Sequence, residues 1–311
     1  MKCVVTGGTG FLGSCLTRRL QEAGHEVTVV SRQKGHDIRQ AETLIEPFKG
    51  AQTVFHLAAL VQSRPGPFES TNLEGLENVL RACQENSVQR VVNVSSFTIF
   101  GPSCAGPHQE SEVPRRQHFF HGYDETKYRG YRLAEKWRSR LPMNIVFPTV
   151  SFGPGPMTEG NILVRLLQRW KKLRLAALQR GGSMVWNFVF VEDVADGLMR
   201  CLKAPVGEDY ILGGENRSIR GLFEAFRQVS GCRILSLGLP DPLFRAGAYL
   251  EDLTSRLGGF PPLVLPSTAD FFLNDWQFSS EKASQQLGYQ PLPLLEGLTE
   301  TYRWMQSKGL A

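Results

Sequence analysis

The sequence predicts an α/β fold in which a doubly wound parallel sheet carries helices on both faces. Up to about residue 150, short apolar runs rich in β-branched residues alternate with helical stretches. Such alternation indicates βαβ crossovers, because two parallel strands need a connection long enough to hold a helix. The predicted strands are Lys2–Thr6, Glu26–Val30, Thr53–Leu57, Arg90–Ser95 and Asn144–Phe147, and the predicted helices are Phe11–Ala23, Glu69–Glu85 and Tyr123–Arg140.

The pattern loosens after residue 150, which predicts a second region. Gly153-Pro154-Gly155-Pro156 interrupts it, and Pro240–Pro266 shows no clear strand period. We therefore expect a sheet domain over residues 1–150 and a smaller, mixed substrate-binding region over residues 151–311. Within the second region, strands at Trp186–Val191 and Asp209–Leu212 (segments of about 186–212) are expected to return to the main sheet, with helices around Ser218–Ser230 and Leu294–Gln306.

Composition excludes several classes of protein. The chain has 311 residues, 41% of them hydrophobic and 21% charged, as globular proteins do. Its longest apolar runs are too short to span a bilayer, and no leader-like segment precedes the first strand, so we expect a cytoplasmic protein with no membrane partner. The net charge of +5 is modest, and its clearest cluster, Arg165–Lys172 with Arg174, has the spacing of a solvated helix face, so no nucleic-acid partner is expected.

Cysteine and histidine usage argues against a metal site. The six cysteines show no CxxC spacing and are expected to be reduced thiols. His118 and His121 flank two phenylalanines but have no neighbouring cysteine or carboxylate to complete a ligand set. We therefore predict no metal.

A glycine-rich turn joins the first predicted strand to the first helix. It reads Thr6-Gly7-Gly8-Thr9-Gly10-Phe11-Leu12-Gly13. Glycines at this spacing allow a tight turn, a close approach of the backbone to a pyrophosphate, and close packing of helix on strand. The helix N-terminus supplies amide N–H groups and the positive end of its dipole. The motif predicts a Rossmann-type sheet that binds a dinucleotide.

The end of the second strand bears on which dinucleotide is bound. NAD-binding proteins usually carry Asp or Glu there, to hold the ribose 2′-hydroxyl. This chain has Ser31 and Arg32, with Lys34 close by. A hydroxyl and a guanidinium suit a 2′-phosphate, which a carboxylate would repel. The sequence therefore favours NADP(H), with NAD as the alternative.

Tyr123 and Lys127 are spaced as a helical pair. Four residues apart, they lie on one face of the predicted helix. A lysine ammonium beside a phenol favours the phenolate, so we expect the pKa of Tyr123 to lie well below that of free tyrosine. Ser96 lies at the carboxyl end of the fourth strand, where it can hydrogen-bond the same substrate oxygen as Tyr123. Together these residues predict an acid/base site.

These motifs, in this order, resemble the extended short-chain dehydrogenase/reductase family, in its NAD-dependent epimerase/dehydratase branch. The resemblance covers nearly the whole chain. Its motifs are Thr6–Gly13, His56–Ala59, Asn72–Gly75, Ser95–Gly101, Tyr123–Lys127, Phe147–Val150, Phe190–Ala195, Tyr210–Gly214 and Phe278–Ala283.

The resemblance implies a role for each matching residue. Tyr123 would be the acid/base, Lys127 would tune it and hold the nicotinamide ribose, Ser96 would orient the substrate oxygen, and Asn72 would support a relay water. Asp37 and Ile38 would flank the adenine, Ala58 and Ala59 would line the cofactor, and Pro148 would contact the nicotinamide end. The predicted cofactor-binding residues are Gly7, Thr9, Gly10, Phe11, Leu12, Gly13, Ser31, Arg32, Lys34, Asp37, Ile38, Leu57, Ala58, Ala59, Lys127, Pro148 and Val150.

Two departures separate the chain from sugar-nucleotide epimerases. Phe147-Pro148-Thr149-Val150 stands where those enzymes often read Arg-Pro-Gly-Asn, and Trp186-Asn187-Phe188 stands where they tend to read Arg-Asp-Phe. Both changes look like dihydroflavonol-4-reductase-like and hydroxysteroid-dehydrogenase-like relatives.

The resemblance implies an NADP(H)-dependent oxidoreductase that reduces a carbonyl on a small, apolar or polyketide-, flavonoid- or steroid-like substrate. The alternatives are an NAD-dependent nucleotide-sugar epimerase/dehydratase and a non-catalytic NADP-binding sensor. It also implies a homodimer, for which Leu73, Leu76, Val79 and Leu80 could supply an apolar helix face, although the same residues could equally face the sheet.

Overall fold

The computed structural model describes residues 1–61, 66–114, 119–258 and 262–311. The strands are β1 (Lys2–Thr6), β2 (Glu26–Val30), β3 (Thr53–His56), β4 (Arg90–Val94), β5 (Met143–Pro148), β6 (Val150–Phe152), β7 (Leu175–Gln179), β8 (Val185–Phe190), β9 (Asp209–Leu212), β10 (Glu215–Ser218) and β11 (Leu235–Leu239). The α-helices are α1 (Phe11–Glu22), α2 (Ile45–Phe48), α3 (Gly75–Glu85), α4 (Gly122–Trp137), α5 (Ile162–Leu173), α6 (Val191–Arg200), α7 (Ile219–Ser230), α8 (Asp241–Gly258), α9 (Glu281–Leu287) and α10 (Leu294–Ser307).

The main sheet has six parallel strands in the order β2-β1-β3-β4-β5-β9. From β1 the chain runs outward to β2, then crosses to β3 on the other side of β1. In such sheets the ligand crevice opens at the carboxyl ends of the strands where the winding reverses, here between β1 and β3. The predicted fold class is confirmed.

Both faces of this sheet are buried, since successive side chains of each strand enter different cores. On β1, Val4 packs into the core that α3 and α4 cover, while Cys3 and Val5 pack into the core that α1 and α6 cover. A strand buried on both faces is an almost unbroken apolar run. That property explains why the sequence alone located the first five strands.

The second region corrects one prediction. The strand expected at Trp186–Val191 exists as β8, but it does not join the main sheet. It pairs parallel to β6 and antiparallel to β10 in a separate three-stranded sheet. The edge position beside β5 is taken by β9, which pairs parallel to it. An apolar run specifies a strand but not its partner, so the prediction was wrong for β8. The boundary at residue 150 stays a prediction.

Four apolar residues considered for a dimer face are buried inside the chain. Leu73 is 9% exposed, Leu76 is 3% exposed, and Val79 and Leu80 are fully buried. The last three belong to the core shared with the sheet, so the structure favours the alternative in which they face inward.

Two further features are the position of the basic cluster and the apolarity of the helices. The basic cluster lies mainly on α5, whose Leu163, Val164, Leu167 and Trp170 are buried while Arg169 and Lys172 are exposed, as expected of a solvated helix face. Within the described ranges, none of the helices combines the length and apolarity needed to cross a bilayer.

Candidate active site

A cleft of about 650 Å³ crosses the carboxyl ends of β1, β2, β3, β4 and β5. All the predicted site residues except Lys34 and Asn72 line it: Gly7, Thr9, Gly10, Phe11, Leu12, Gly13, Ser31, Arg32, Asp37, Ile38, Leu57, Ala58, Ala59, Ser96, Tyr123, Lys127, Pro148 and Val150. The fold therefore brings these residues together, while their individual roles stay predictions.

The glycine turn requires glycine at two points. Gly7 has φ +73°, and a Cβ there would lie 2.8 Å from the backbone nitrogen of Ala58. A Cβ on Gly13 would overlap the carbonyl oxygen of Gly7. At the start of α1, Gly10 provides no side-chain cap, so the first amide N–H groups of the helix remain available to an anion.

The loop after β3 is tied to the end of β1. Thr6 Oγ1 accepts a hydrogen bond from the backbone nitrogen of Ala58 at 3.2 Å and shares another with His56 Nδ1 at 2.8 Å. Burial, together with the charge of Lys127, lowers the pKa of His56 to about 3. His56 is therefore a neutral structural residue that fixes the cleft wall.

The end of β2 combines two arginines with one carboxylate. Arg32 is exposed and lines the cleft, and Arg39 Nε donates to both carboxylate oxygens of Asp37 at 3.0 Å. These bonds, helped by the charge of Arg32, hold the pKa of Asp37 below its usual range. The pairing compensates the negative charge of Asp37. Arg39 also lines the cleft, and the sequence analysis missed it.

Lys34 is a correction. It belongs to the short 3₁₀ turn of Arg32–Lys34, is exposed, and does not line the cleft. Lys34 is the last residue of this turn and is followed by Gly35, which has φ +81°. Proximity in the sequence was an insufficient guide here.

Ser96, Tyr123 and Lys127 meet at the centre of the cleft. Ser96 and Tyr123 line the same part of the cleft, and the Ser96 hydroxyl acts to lower the pKa of the Tyr123 phenol. Lys127 Nζ donates to the carbonyl oxygen of Val94 at 2.8 Å, which holds the ammonium at the carboxyl end of β4. Tyr123 and Lys127 lie on α4. At the start of this helix, His121 Nδ1 accepts a hydrogen bond from the backbone nitrogen of Tyr123 at 3.2 Å.

The expected pKa of Tyr123 is wrong for this structure. Burial raises it to about 12, outweighing the lowering effect of the Ser96 hydroxyl, and the neighbouring Asp124 raises it too. Burial likewise lowers the pKa of Lys127 to about 8. The sequence showed that the two residues share a helix face, but it could not show that burial would determine the pKa of each.

Asn72 lies behind the cleft rather than in its wall. Its Oδ1 accepts from the backbone nitrogen of Leu60 at 2.7 Å, and its Nδ2 donates to Leu60 O at 3.3 Å and to Thr126 Oγ1 at 3.1 Å. Both amide hydrogens are thus used to bind the loop after β3 to α4. Its predicted support of a relay water stays a prediction.

Aromatic rings form the far end of the cleft. The lining rings are Phe97, Phe120, Trp186, Phe271 and Phe272. The ring centroid of Trp186 lies 5.5 Å from that of Phe271 and 5.4 Å from that of Phe272. The sequence pointed to this wall at Trp186, which departs from the epimerase pattern.

In the ranges that the structure describes, no three His, Cys, Asp or Glu side chains are grouped to hold a metal ion. His118, considered as a ligand from the sequence, lies outside those ranges.

Comparison with known protein families assigns the chain to one of them. Residues 3–213 match the model of the NAD dependent epimerase/dehydratase family. The chain belongs to this family. It is therefore an NAD(P)-dependent enzyme of the extended short-chain dehydrogenase/reductase type.

Relatives of this family member include several reductases and dehydrogenases. A Synechocystis protein with the provisional name dihydroflavonol 4-reductase is 26% identical and covers 98% of this chain and 94% of its own length. The 2-alkyl-3-oxoalkanoate reductase of Stenotrophomonas maltophilia is 28% identical, with 96% of this chain and 97% of its own covered. Among solved structures, a UDP-glucose 4-epimerase of Thermotoga maritima has a TM-score of 0.81 at 21% identity, covering 99% of each chain, and it shows the shared fold.

The dinucleotide that this family uses fits the residues present. The hydroxyl of Ser31 at the end of β2 and that of Ser95 after β4 are both buried without a hydrogen-bond partner, and both residues line the cleft. Buried polar atoms in native proteins are normally satisfied, so each hydroxyl indicates a polar ligand. The glycine turn and helix N-terminus add a site for its phosphates.

Proposed function

We propose that this family member is an NADPH-dependent reductase of a carbonyl group on an apolar substrate. The observation that carries the proposal is the aromatic wall at one end of the cleft. Phe97, Phe120 and Trp186 line the same cleft as Ser96 and Tyr123. An apolar molecule that enters there removes aromatic and aliphatic surface from water, the main source of affinity in small-molecule sites.

The preference for NADPH is supported by the groups at the end of β2. The unpartnered hydroxyl of Ser31 and the exposed guanidinium of Arg32 both face the cleft. Arg39 already pairs with Asp37, so the only carboxylate that the described residues place at this end does not leave an uncompensated negative charge. These contacts suit a phosphate on the ribose better than a hydroxyl.

The chemistry follows from where the protons lie. Because the pKa of Tyr123 is about 12, its phenol holds a proton at neutral pH and can donate it to a carbonyl oxygen. Ser96 offers a second hydroxyl to the same oxygen. NADPH, when bound, supplies the hydride to the carbonyl carbon. Lys127, held on Val94, contributes a position beside the cofactor rather than a lowered tyrosine pKa.

The same wall argues against a nucleotide-sugar substrate. Such a substrate carries a diphosphate, which needs cationic or amide donors. Among the described residues that line the cleft, the Lys and Arg side chains are Arg32 and Arg39 at the nucleotide end and Lys127 at the centre. Trp186 stands where the epimerases tend to have arginine. An indole carries no charge to pair with a phosphate, and the N–H of Trp186 already donates to Asn274 O at 3.0 Å.

Relatives support an apolar substrate. One is named as a 2-alkyl-3-oxoalkanoate reductase, and another, from Arabidopsis thaliana, as a 3beta-hydroxysteroid-dehydrogenase/decarboxylase, 27% identical over 96% of this chain and 78% of its own length. Both names describe substrates with long or polycyclic apolar parts, which the rings around Phe271 would accommodate.

The proposal is tested by offering the purified protein NADPH with aryl ketones, 3-oxo esters and 3-oxosteroids, and NAD with UDP-glucose in parallel. Loss of NADPH absorbance with at least one apolar carbonyl, and no interconversion of UDP-sugars, is the expected result. Tightly held NAD that copurifies with the protein, together with turnover of a UDP-sugar, would contradict it.

We also propose that the protein is a homodimer and that it is located in the cytoplasm. With Leu73 and Leu76 buried inside the chain, a dimer formed by α3 and α4 would use their charged outer faces. Those faces form a shallow groove that Arg81, Lys136 and Trp137 help to line. Light scattering at micromolar concentration should give twice the chain mass of 34.8 kDa. A particle of one chain mass would contradict the dimer.

A further inference from the structure

Helix α8 is apolar on two opposite sides. Its inner side buries Phe244 and Ala248. Its outer side carries five exposed apolar residues at spacings of three and four, which is the spacing of a single stripe along a helix. A surface helix ordinarily turns charged and polar residues outward, and contiguous exposed apolar side chains mark a site of interaction. The residues of the stripe are Leu243, Ala246, Leu250, Leu253 and Leu257, the last of them 82% exposed.

The two-stranded sheet of β7 and β11 also turns leucines to the solvent. The strands pair in parallel, with Leu235 in register with Leu175 and Leu237 in register with Ala177. Residues in register share a face of a sheet, and all four of these are exposed, Leu235 to 75%. The next residue on this face of β11 is Leu239, which packs against the inner side of α8. The leucine face of the sheet therefore leads directly to α8.

The last turn of α5 adjoins both of these elements. Arg169 of α5 pairs with Glu251 of α8 at 2.7 Å. Arg174, which follows α5, accepts a hydrogen bond at its carbonyl oxygen from the backbone nitrogen of Leu235 at 3.0 Å. The exposed leucines of α5, β7, β11 and α8 thus belong to elements in contact, and we call them together the leucine surface. Its members are Leu173, Leu175, Leu235, Leu237, Leu243, Leu250, Leu253 and Leu257.

The leucine surface carries a net positive charge. No Asp or Glu occurs between residues 161 and 192 or between residues 224 and 241, whereas Lys172, Arg174 and Arg233 are exposed close in sequence to its leucines. The acids on α8 and on the segment after it are each compensated by an arginine. The pairs are Asp241 with Arg180, Glu251 with Arg169, Asp252 with Arg256, and Asp270 with Arg245.

We propose that the leucine surface docks on an anionic lipid surface. Its leucines enter the boundary between headgroups and acyl chains, while Lys172, Arg174 and Arg233 stay among the headgroups and attract anionic lipid. The inference concerns binding alone and holds whatever the cleft reduces. The expectation of no membrane partner rested on the lack of a segment that could span a bilayer, and docking needs no such segment.

Charge favours a lipid surface over a second copy of the chain. In a symmetric dimer the leucine surface would meet itself, and the cations of one chain would lie near the same cations of the other. Like charges brought together at an interface oppose association. A nucleic acid would match the charge but would leave the leucines in water, because it is bound chiefly through its phosphates. An anionic bilayer matches both the charge and the apolar side chains.

Docking would bring lipid close to the substrate end of the cleft. The ring centroid of Phe244, on the inner side of α8, lies 6.4 Å from that of Phe272, which lines the cleft. Arg245 of α8 also pairs with Asp270 in the same segment as Phe272. Helix α8 would then have lipid on one side and the aromatic wall on the other. If the proposed function holds, an apolar substrate dissolved in the lipid is available beside the site that binds it.

Cosedimentation of the full-length protein with lipid vesicles tests the proposal without any substrate. We expect binding to vesicles of phosphatidylcholine that contain about a third phosphatidylglycerol, and little binding to phosphatidylcholine alone. Raising the NaCl concentration from about 0.05 M to about 0.5 M should weaken the binding by roughly tenfold or more, because salt screens the headgroup charge. Failure to bind either kind of vesicle at low salt would overturn the proposal.

The contribution of charge is tested by changing Lys172, Arg174 and Arg233 together to glutamine. The Kd for anionic vesicles should rise by roughly a hundredfold, since each cation near such a surface strengthens binding by about a factor of five.

The matched control for this variant changes three exposed lysines of other segments to glutamine, which gives the same net charge. Its binding should be nearly that of the wild type. Equal losses in the two triple variants would show that the net charge of the protein, rather than this surface, attracts the lipid, and would overturn the proposal. The control lysines are Lys34, Lys49 and Lys203.

The contribution of the leucines is tested by Leu250→Gln. Glutamine is a good helix former, so α8 should fold as before, while the Kd for anionic vesicles should rise by roughly five- to tenfold. The control is Ile45→Gln, because Ile45 is 63% exposed and Leu250 is 62% exposed. Unchanged binding in Leu250→Gln would mean that the protein only adsorbs through its charge, and would overturn the proposal.

Light scattering without vesicles distinguishes a second copy of the chain. We expect wild type and Leu250→Gln to give particles of the same mass. A wild-type particle that Leu250→Gln splits into halves would show that a second copy covers the leucine surface, and would overturn docking on lipid.

Discussion

The two ends of the cleft are built in different ways. The nucleotide end is made by residues close together in the sequence, with Gly7–Gly13 in one turn and Ser31 and Arg32 at the end of the next strand. The substrate end is made by single rings from distant segments, such as Phe97 after β4, Trp186 on β8 and Phe271 after α8. The nucleotide end can therefore be recognised from short stretches of sequence, whereas the substrate end is formed by segments that only the fold brings together.

The difference follows from what each end must recognise. A pyrophosphate is bound by backbone amides, and these are free only where glycine keeps the chain close, as Gly7 does against Ala58. An apolar molecule needs shape and surface, which many residues can supply, so its site has the composition of the core. We therefore expect changes at the nucleotide end to alter cofactor choice, and changes at the substrate end to alter KM.

The largest effect is expected where the two ends meet. Tyr123→Phe keeps the ring and removes the proton donor, so turnover should fall by about two to four orders of magnitude while NADPH binding persists. The matched control is Tyr128→Phe on the same helix, whose hydroxyl donates to Pro114 O at 2.9 Å, outside the cleft. Loss of turnover in the control but not in Tyr123→Phe would show that the acid was assigned to the wrong tyrosine.

Burial of Lys127, at the centre of the cleft, should lower the free energy of unfolding of the protein. Burial depresses the pKa of this lysine from 10.5 to about 8, so its charged form destabilises the fold below pH 8, and that cost disappears as the pH rises through 10.5. Lys127→Met should therefore be more stable than the wild type at pH 7, by up to about 3 kcal/mol, and the advantage should shrink between pH 8 and pH 10.5.

Urea unfolding at several pH values measures this difference. The control is Lys203→Met, because Lys203 is exposed and lines neither the cleft nor the groove between α3 and α4. A Lys127→Met protein that is less stable than the wild type at pH 7 would mean that the hydrogen bond to Val94 outweighs the cost of burying the ammonium. Lys127→Met should also bind NADPH more weakly. A variant that is more stable but binds NADPH less tightly would show that Lys127 serves function at a cost in stability.

Arg32→Asp tests the nucleotide end alone. The wild type should bind NADPH at least roughly tenfold more tightly than NADH, since a charge-assisted contact contributes about 1.5–3 kcal/mol, and the variant should reverse the preference. Lys34→Asp makes the same change of charge two residues away, outside the cleft, and should leave the ratio nearly unchanged. Calorimetric titration gives both constants. If NADPH binding survives Arg32→Asp, the 2′-phosphate is held elsewhere.

The smallest effect is expected at the substrate end. Trp186→Leu removes a ring that packs on Phe271 and Phe272, so KM for an apolar ketone should rise by roughly two- to tenfold, the equivalent of about 0.5–1.5 kcal/mol of aromatic contact. The Kd of NADPH should not change. Trp304→Leu, a half-buried tryptophan outside the cleft, serves as the control. Equal effects of both variants on KM would remove Trp186 from the substrate site.

The sequence predicted the nucleotide end well because its signals are local. The turn after β1 and the pair Tyr123 and Lys127 each depend on a few neighbouring residues, so spacing alone located them. Burial cannot be deduced from spacing. This is why the pKa of Tyr123 was predicted in the wrong direction.

Strand pairing shows the same limit. The residues of β8 and β9 both predicted strands, but only the structure shows that β9 takes the edge beside β5 while β8 pairs with β6 and β10. That exchange matters for function, since it places Trp186 of β8 in the cleft wall. The departure from the epimerase pattern at this position was visible in the sequence, whereas the position of Trp186 in the cleft wall required the fold.

In this account, the phenol of Tyr123 protonates the carbonyl oxygen of an apolar substrate while NADPH, bound at the nucleotide end, reduces the carbonyl carbon. Transfer of an isotope from NADPH to the product tests this most directly. NADPH carrying deuterium at the transferable position of the nicotinamide is incubated with an aryl ketone and the enzyme, and the product is analysed by mass spectrometry. We predict an alcohol with a single deuterium on its carbinol carbon from the wild type, and almost none from Tyr123→Phe in the same time. Equal deuterium transfer by both proteins, or none by the wild type with any apolar carbonyl, would contradict the account.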